Sequence, residues 1–331
     1  MKLLVTGGLG FIGSNFILHV LKNYDDCEII NVDAELLGSN HENLTEVKNA
    51  ANYEYVKGNI TNRKLMEDLI SRSDAVINFA AESHVDRSIF DANPFLVSNI
   101  RGVYTILDII KNQKKRFVHI STDEVFGSIE NGSALETSKF NPSSPYAATK
   151  AAAELLINSY SVTYGCDAVI TRCTNNYGPR QHVEFDIIPK TIALIKQNKK
   201  IPIYGTGKSI RDWIYVDDHC EAIMLALQKG KAGESYNISA SNEIDVLTLV
   251  KKLLTLFDKP TSNLQFGEGR PGEDLRYSLD SSKICKELGW SHRINIDEGL
   301  QKTIQWYIKN ENRLKNLPKN TLSSTPWKDL S

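Results

Sequence analysis

The sequence predicts an α/β protein with a doubly wound parallel sheet, and three observations support that fold class. An apolar strand, Lys2–Val5, leads directly into a turn rich in glycine. A second strand, Glu28–Val32, ends in an aspartate. Strands and helical segments of similar length then alternate as far as about residue 172. Such repeated strand and helix segments are typical of a parallel sheet with helices on its faces.

The glycine-rich turn predicts a Rossmann-type dinucleotide site. Gly7, Gly10 and Gly13 follow the first strand and precede the apolar helix Phe16–Leu21. Glycines at these positions let the turn and the helix N-terminus approach a pyrophosphate. Asp33 comes 20 positions after Gly13 and is suited to accept hydrogen bonds from ribose hydroxyls. Because a carboxylate repels a 2′-phosphate, the expected cofactor is NAD, not NADP.

The alternation continues in order along the chain. Strands are predicted at 53–57, 75–79, 117–120 and 168–172, and helices at 62–71, 94–110 and 146–164. Beyond them the pattern loosens, with helices at 187–197, 217–228 and 246–257 and a strand at 201–204. Thr174–Pro179 is predicted to be a polar turn that continues neither element. We therefore expect a cofactor domain over 1–174, a smaller and mainly substrate-binding domain over 175–315, and a loose tail over 316–331 that Trp327 anchors.

The strand at 117–120 ends in a cluster of reactive side chains. Thr122, Asp123 and Glu124 follow it, at the edge of the sheet where ligands bind in open α/β folds. Tyr146 and Lys150 lie four residues apart at the start of a helix, so they share a face, and the lysine charge is suited to lower the pKa of the phenol. Together they indicate an acid/base site. Alternatively, the carboxylates are ordinary loop residues and the tyrosine caps its helix.

Three arginines stand in loop-like segments later in the chain. Arg211, Arg270 and Arg276 are suited to bind a diphosphate through paired hydrogen bonds, although each is also compatible with a surface ion pair. His84 has no second His or Cys at metal-ligand spacing, so a polar contact near the cofactor or the substrate phosphates is expected and no metal site is predicted.

The composition narrows the class of protein further. A formal net charge of -1 over 331 residues disfavours nucleic-acid binding, because no basic excess is present. Five scattered cysteines without CxxC spacing favour free thiols in a reducing compartment. The chain opens directly into its first strand and has no apolar run of the roughly 20 residues that span a bilayer. A cytoplasmic protein that does not bind membranes is expected.

With these motifs in place, the sequence resembles the extended short-chain dehydrogenase/reductases, and among them the nucleotide-sugar 4,6-dehydratases. The similarity runs from Met1 to about Tyr307. Thr-Asp-Glu at the strand end is its most specific feature, since the related epimerases usually carry Ser-x-Ser or Ser-x-Ala there. The segments that carry the resemblance are Thr6–Gly13, Phe79–Ser88, Ser121–Gly127, Tyr146–Lys150, Thr171–Pro179 and Ile210–Val216.

The resemblance implies a reaction in which a nucleotide hexose loses water. Tyr146, with its pKa lowered by Lys150, would take the C4 hydroxyl proton as hydride passes to NAD. Glu124 would then take the C5 proton, while Asp123 protonates the departing C6 hydroxyl and Thr122 holds the O4 atom. A base and an acid on adjacent carbons require two carboxyl groups in different protonation states.

The resemblance also implies two sets of binding residues. The cofactor set is Gly7, Gly10, Phe11, Ile12, Gly13, Asp33, Asn59, Ile60, Ala80, Ala81, Ser83, Asn99, Tyr146 and Lys150. The substrate set is Ser83, His84, Thr122, Asn175, Asn176, Arg180, Glu184, Arg211, Asn237, Arg270 and Arg276.

One departure from the family pattern leaves the nucleotide open. In Arg180–Pro189 the usual lysine is Phe185, and Arg180 is a candidate to replace its charge. dTDP-glucose is the favoured substrate, with UDP-, CDP- or GDP-hexoses as alternatives. A 4-epimerase and a non-catalytic NAD- or nucleotide-sugar-binding protein are more distant alternatives.

The resemblance finally implies a homodimer formed by the helices near 94–110 and 146–164. The apolar residues considered for that contact, which are also compatible with packing on the parent sheet, are Val103, Leu107, Ile110, Leu155 and Ile157.

Overall fold

The structure is a computed structural model that describes residues 1–315 and 325–328. Most of the predicted tail, 316–324 and 329–331, lies outside the described residues. The prediction of a loose tail therefore concerns residues that the structure does not describe.

Strands and helices alternate through the first half of the chain as predicted. The strands are β1 Lys2–Thr6, β2 Glu28–Asp33, β3 Tyr53–Lys57, β4 Ala75–Asn78, β5 Arg116–Thr122, β6 Ala168–Cys173, β7 Asn175–Tyr177, β8 Ile201–Ile203, β9 Ile210–Tyr215, β10 Ser235–Ile238, β11 Glu243–Asp245 and β12 Leu264–Phe266. The helices are α1 Phe11–Asn23, α2 Arg63–Ser71, α3 Val85–Phe90, α4 Asn93–Phe95, α5 Val103–Gln113, α6 Pro145–Tyr164, α7 Ile187–Lys196, α8 Val216–Lys229, α9 Val246–Leu256, α10 Ser282–Leu288 and α11 Ile296–Lys309. A π-helical segment, Leu96–Gly102, joins α4 to α5.

Seven strands form the main sheet, in the order β10-β6-β5-β4-β1-β2-β3, and every neighbouring pair is parallel. This confirms the predicted α/β class. One edge strand of this sheet, β10, comes from much later in the chain than the other six strands and pairs with β6. Parallel strands carry their carboxyl ends to the same edge of the sheet, so the residues that follow β1, β4 and β5 meet there.

Helices cover both faces of this sheet with apolar side chains. On one face α2, α5 and α6 bury one core cluster, and on the other α1 and α8 bury a second. Of the five residues considered for a dimer contact, Val103, Leu107, Ile110 and Ile157 belong to the first cluster and are buried against the parent sheet. Leu155 alone of the five is exposed, with 60% of its surface accessible.

The prediction of a polar turn over Thr174–Pro179 is wrong for the middle of this segment. Its middle residues form β7, which pairs in parallel with β9 in a second, three-stranded sheet that also contains β11. The strand forms because Tyr177 is fully buried and makes edge-to-face contacts with Trp213 and Tyr215. Aromatic contacts from β9 thus outweigh the local turn preference of the asparagines.

Across residues 1–315 and 325–328, no helix combines the length and the apolar character that a bilayer crossing needs.

Candidate active site

A deep cleft opens at the carboxyl ends of β1, β2, β4 and β5. Every residue of the predicted cofactor set lines it except Asn99. Asn99 is buried behind the wall, where its amide accepts a 2.9 Å hydrogen bond from the backbone N–H of Glu82 and donates to the Glu82 carbonyl and to Thr149. It therefore supports the backbone of the wall and does not face the cleft.

The glycine-rich turn is shaped for a pyrophosphate. Gly7 has φ of 70°, and a Cβ on it would lie 2.6 Å from the backbone nitrogen of Ala80. A Cβ on Gly13 would lie 2.5 Å from the Gly7 carbonyl. Within the described structure, no side chain caps the N-terminus of α1, because its cap residue is Gly10. The free N–H groups and the helix dipole at this end fit the phosphates of a dinucleotide.

Asp33 is held rigidly at the far end of the cleft. Its carboxylate accepts hydrogen bonds from the Leu9 N–H at 3.0 Å, the Ser39 hydroxyl at 2.7 Å and the Glu35 N–H at 2.8 Å. Glu35 adds a second carboxylate beside it, and hydrogen bonds from Lys57, His41 and Tyr55 lower the pKa of Glu35 to about 2. The Asp33 carboxylate disfavours a 2′-phosphate, so this end of the cleft fits NAD, whereas Glu35 lies outside the cleft lining and is neutralised by its ion pair with Lys57.

Lys150 lies in the floor of the cleft, near the opposite end. Its Nζ donates a 2.6 Å hydrogen bond to the Ile120 carbonyl and lies 3.3 Å from His119 Nε2. Burial lowers the pKa of Lys150 to about 8. Burial also lowers the pKa of His119 well below its usual range, and the Lys150 charge adds to that effect. The imidazole is therefore neutral beside the ammonium.

Tyr146 faces the same part of the cleft, but the electrostatic prediction for it needs correcting. Burial raises the pKa of the phenol well above its usual range, and the negative charge of Glu124 raises it further. A hydrogen bond with Thr122 opposes this rise. The pKa of the phenol is therefore raised and not lowered as predicted from its spacing to Lys150, because burial dominates, and the Lys150 ammonium donates to the Ile120 carbonyl.

The carboxyl end of β5 places three side chains opposite Tyr146. The Thr122 hydroxyl donates to Asp123 Oδ1 at 3.1 Å and accepts from the Glu124 N–H at 3.3 Å. Asp123 Oδ2 is buried without a hydrogen-bond partner among the residues that the structure describes. All three residues line the cleft, as does Tyr146. The structure thus brings the predicted catalytic residues together.

The two carboxyl groups differ in their electrostatic surroundings. Burial raises the pKa of Asp123 well above its usual range and the Glu124 charge raises it further, although a hydrogen bond with Thr122 and the Arg211 charge oppose the rise. Burial also raises the pKa of Glu124, but the guanidinium groups of Arg270 and Arg211 oppose that rise. Asp123 is therefore favoured as a protonated acid, and Glu124 is the better candidate for a base.

A second pocket adjoins the cleft, and Glu124 lines both cavities. Arg211 and Arg270 lie in the wall of the second pocket. The Arg270 guanidinium lies 3.3 Å from Asp86, and that of Arg211 lies 4.3 Å from the centre of the Tyr277 ring. Predicted substrate residues that also line this pocket are Ser83, His84, Asn175 and Asn176, whereas Thr122 lines the cleft.

Four predicted substrate residues do not lie on the described walls of either pocket. Arg180 pairs with Glu46 and stacks on Trp306, whose ring centre is 5.5 Å away. Arg276 makes two 2.7 Å hydrogen bonds to Glu243. The residues concerned are Arg180, Arg276, Asn237, whose amide donates to the Ala134 carbonyl, and Glu184.

Other charged residues in the second pocket were not predicted from the sequence. Lys190 lines the second pocket close to the negative charges of Asp86 and Asp186. The one sequence feature that could have indicated a substrate role for Lys190 is its position directly after Pro189, which the family pattern shares. Phe185 stacks on both His84 and His182, with ring centres 4.0 and 4.9 Å away, and the two imidazole centres are 6.2 Å apart. This aromatic stack occupies the segment that departs from the family pattern. Unpredicted wall residues with polar or charged groups also include Asp86, Tyr204, Glu273 and Tyr277.

Comparisons with known proteins show similarity over most of the chain. The family model described as GDP-mannose 4,6 dehydratase matches residues 4–303. A dTDP-glucose 4,6-dehydratase of Actinoplanes sp. is 43% identical over 94% of this chain and 98% of its own length. The same enzyme of Mycobacterium tuberculosis is 42% identical over 94% of each chain. The crystal structure of DesIV, a dTDP-glucose 4,6-dehydratase of Streptomyces venezuelae with NAD bound, has a TM-score of 0.92 at 42% identity and covers 94% of this chain and 98% of that one.

Proposed function

This chain belongs to the GDP-mannose 4,6 dehydratase family, among the nucleotide-sugar 4,6-dehydratases of the extended short-chain dehydrogenase/reductases, and from that premise we propose that it is an NAD-dependent dTDP-glucose 4,6-dehydratase. It converts dTDP-glucose to dTDP-4-keto-6-deoxyglucose and water. The observation that carries the proposal is the pair of carboxyl groups at the end of β5, which stand in different electrostatic surroundings opposite Tyr146.

The cleft residues are assigned to NAD. The N-terminus of α1 holds the pyrophosphate, and Asp33 accepts from the adenosine ribose. When bound, NAD would supply the acceptor for the C4 hydride in its oxidised form and the donor of hydride to C6 in its reduced form, so no net oxidation would occur. Ala80 and Ala81 let the cofactor lie close to the wall of the cleft.

Three proton transfers are assigned to residues of this chain. Tyr146 takes the proton of the C4 hydroxyl while Thr122 holds the O4 atom. Oxidation at C4 acidifies C5, so Glu124 takes the C5 proton, and a proton returns to C5 when hydride has reached C6. Asp123 gives its proton to the C6 hydroxyl, which leaves as water. Because burial raises the pKa of the free phenol, we expect its deprotonation to depend on the Lys150 ammonium.

The second pocket is assigned to the nucleotide diphosphate. Arg211 and Arg270 line it and are suited to paired hydrogen bonds with phosphate oxygens. Lys190 is a third cation in the same wall and replaces Arg180 in the role of the missing family lysine. An epimerase needs neither Asp123 nor Glu124, so these residues favour the dehydratase.

The assembly and the location of the enzyme are part of the proposal. We propose a homodimer that pairs the outer face of α6 and the helix over residues 93–113 with the same helices of a second copy, because this face exposes Leu155 and Val162, the latter with 88% of its surface accessible. We also propose that the enzyme acts in the cytoplasm, where its cysteines, all unpaired, stay reduced. The division at residue 174 is retained as a proposal, with β10 and α8 returning to the first domain.

The direct test is a panel of dTDP-, UDP-, CDP- and GDP-glucose, each incubated with the purified protein with and without added NAD. Mass spectrometry follows the loss of one water from each donor. Loss from dTDP-glucose is the expected outcome, and loss from another donor alone would reassign the nucleotide. If every donor stayed unchanged, the dehydratase proposal would be wrong.

A further inference from the structure

The last described segment of the chain, Thr325–Lys328, lies against the outside of the second pocket. It forms a short 3-10 turn that packs on α3. Trp327 is buried, with only 5% of its surface accessible, and its ring meets the Tyr204 ring edge to face at 5.1 Å. Lys328 donates a 2.6 Å hydrogen bond to Glu268 at the rim.

Tyr204 connects this turn to the charged wall of the pocket. One side of its ring meets Trp327, and its hydroxyl donates to Asp86 Oδ2 at 3.3 Å. The other oxygen of Asp86 accepts from Arg270 at 3.3 Å. Tyr204, Asp86 and Arg270 all line the pocket. A row of direct contacts therefore runs from Trp327 to the guanidinium assigned to the diphosphate.

We propose that Trp327 is a positioning residue of the nucleotide-sugar site, which fixes the Tyr204 ring and thereby holds Asp86 and Arg270 in place for the substrate diphosphate. The inference rests on the proposed function and extends it to a segment beyond residue 303, where the family match ends. Without the indole, the outer edge of the Tyr204 ring would lose its packing partner, and the ring would be free to adopt other rotamers.

The position of this contact predicts which kinetic parameter changes. Trp327 touches the wall of the second pocket and lies outside the residues that line the cofactor cleft. Its aromatic partner is Tyr204, and among the described residues it makes no aromatic or hydrogen-bond contact with Tyr146, Asp123 or Glu124. Loss of Trp327 should therefore weaken the binding of nucleotide diphosphates and leave both NAD binding and the chemical steps nearly intact.

The test compares full-length Trp327→Ala with Trp327→Phe and Lys328→Ala. For Trp327→Ala we expect the KM for dTDP-glucose and the Kd for dTDP, measured by calorimetry, to rise about tenfold, the scale of one aromatic contact. We expect kcat and the Kd for NAD to stay within about twofold. Trp327→Phe should restore most of the affinity, because a phenyl ring still packs edge to face. Lys328→Ala removes only an exposed ion pair and should behave like the parent.

Two outcomes would overturn the inference. One is an unchanged Kd for dTDP in Trp327→Ala, and the other is an equal loss of NAD affinity, which would indicate a general effect on the fold. If Trp327→Ala does not fold, Trp327→Leu provides the same test, since it keeps an apolar side chain at the buried position but no ring beside Tyr204, and it should also weaken dTDP binding. The dTDP titration needs no turnover, so it separates this inference from a failure of the proposed reaction.

Discussion

The Ser121 hydroxyl donates a 2.5 Å hydrogen bond to Glu154, and this bond ties the end of β5 to the helix that carries Tyr146. Glu154 is completely buried, and its carboxylate also accepts hydrogen bonds from Arg172 at 2.6 and 2.9 Å. The two halves of the proposed catalytic site, one on a strand and one on a helix, are thus joined through the buried Glu154 carboxylate, which also forms an ion pair with Arg172 of β6.

Glu154→Gln is expected to lower the free energy of unfolding by about 3 to 5 kcal/mol, because it leaves the Arg172 guanidinium buried without a counter-charge. Ser121→Ala should cost only about 1 kcal/mol, since it removes one hydrogen bond. Urea unfolding of the free enzyme measures both. The double variant Glu154→Gln/Arg172→Met should recover part of the loss. Equal stability of Glu154→Gln and the parent would contradict this view of the ion pair.

Tyr146→Phe is expected to lower kcat by about 10² to 10⁴, the usual contribution of a general acid or base. The phenyl ring keeps the packing against Phe95, so the fold and the Kd for NAD should change little. Single-turnover rates with dTDP-glucose provide the measurement. Tyr160→Phe, on the same helix, is the matched control and should keep the parent rate. A rate for Tyr146→Phe close to that of the parent would remove the phenol from the mechanism.

Glu124→Gln and Asp123→Asn should interrupt the reaction at different points. With Glu124→Gln, the C5 proton should stay in place, so solvent deuterium should not enter C5. With Asp123→Asn, deuterium should enter C5 although loss of water is suppressed, because the base remains and the acid is gone. Mass spectrometry in deuterated water distinguishes the two. Normal deuterium incorporation by Glu124→Gln would assign the base to another residue.

Asp186→Asn should stabilise the protein in a pH-dependent way. Asp186 lines both pockets, and burial raises its pKa to about 6. The folded state therefore holds a proton that the unfolded chain releases near pH 4, and the resulting stability is lost as the pH rises through about 6. The amide avoids that loss, so the free energy of unfolding of the variant should exceed that of the parent by about 3 kcal/mol at pH 7 and match it below pH 4. Urea unfolding of both proteins at pH 7 and below pH 4 gives the difference in the free energy of unfolding. A difference that is equal at the two pH values would exclude the titration of Asp186 as its source.

Val162→Glu should convert the proposed homodimer to a monomer. Val162 and Leu155 are exposed on α6, and a charge buried there without a partner would oppose association of two copies. Light scattering at micromolar concentration gives the mass. Lys309→Glu, at the exposed end of α11, is the control and should leave the mass unchanged. A parent protein that is already monomeric would reject the dimer.

Local patterns in the sequence were sufficient to predict the cofactor cleft. The glycine-rich turn, Asp33 and the strand ending in Thr122 all lie at the carboxyl ends of neighbouring parallel strands, so their sequence positions determine where they meet. The same reasoning applies to Tyr146 and Lys150, which share a helix face and line the cleft together.

Local sequence patterns were insufficient to predict the contacts of side chains whose partners are distant in the sequence. Arg180 is a predicted substrate residue and a candidate to replace the missing lysine charge, but Trp306 and Glu46 hold it elsewhere, and neither is near it in sequence. The pKa of Tyr146 was assigned from its spacing to Lys150, whereas burial by the assembled fold decides its direction. The spacing of two residues along a helix predicts that their side chains are close together. It does not predict how far the folded protein buries them from water.

The position of β10 in the main sheet has a consequence for how the chain is made. β10 ends at Ile238, so β6 remains an unpaired edge strand until about 240 residues have left the ribosome. A nascent chain stopped near residue 174 would also lack α8, which covers one face of the sheet. Its apolar surface would stay open to water and to other chains. The two proposed domains are therefore completed together, late in synthesis, and not one after the other.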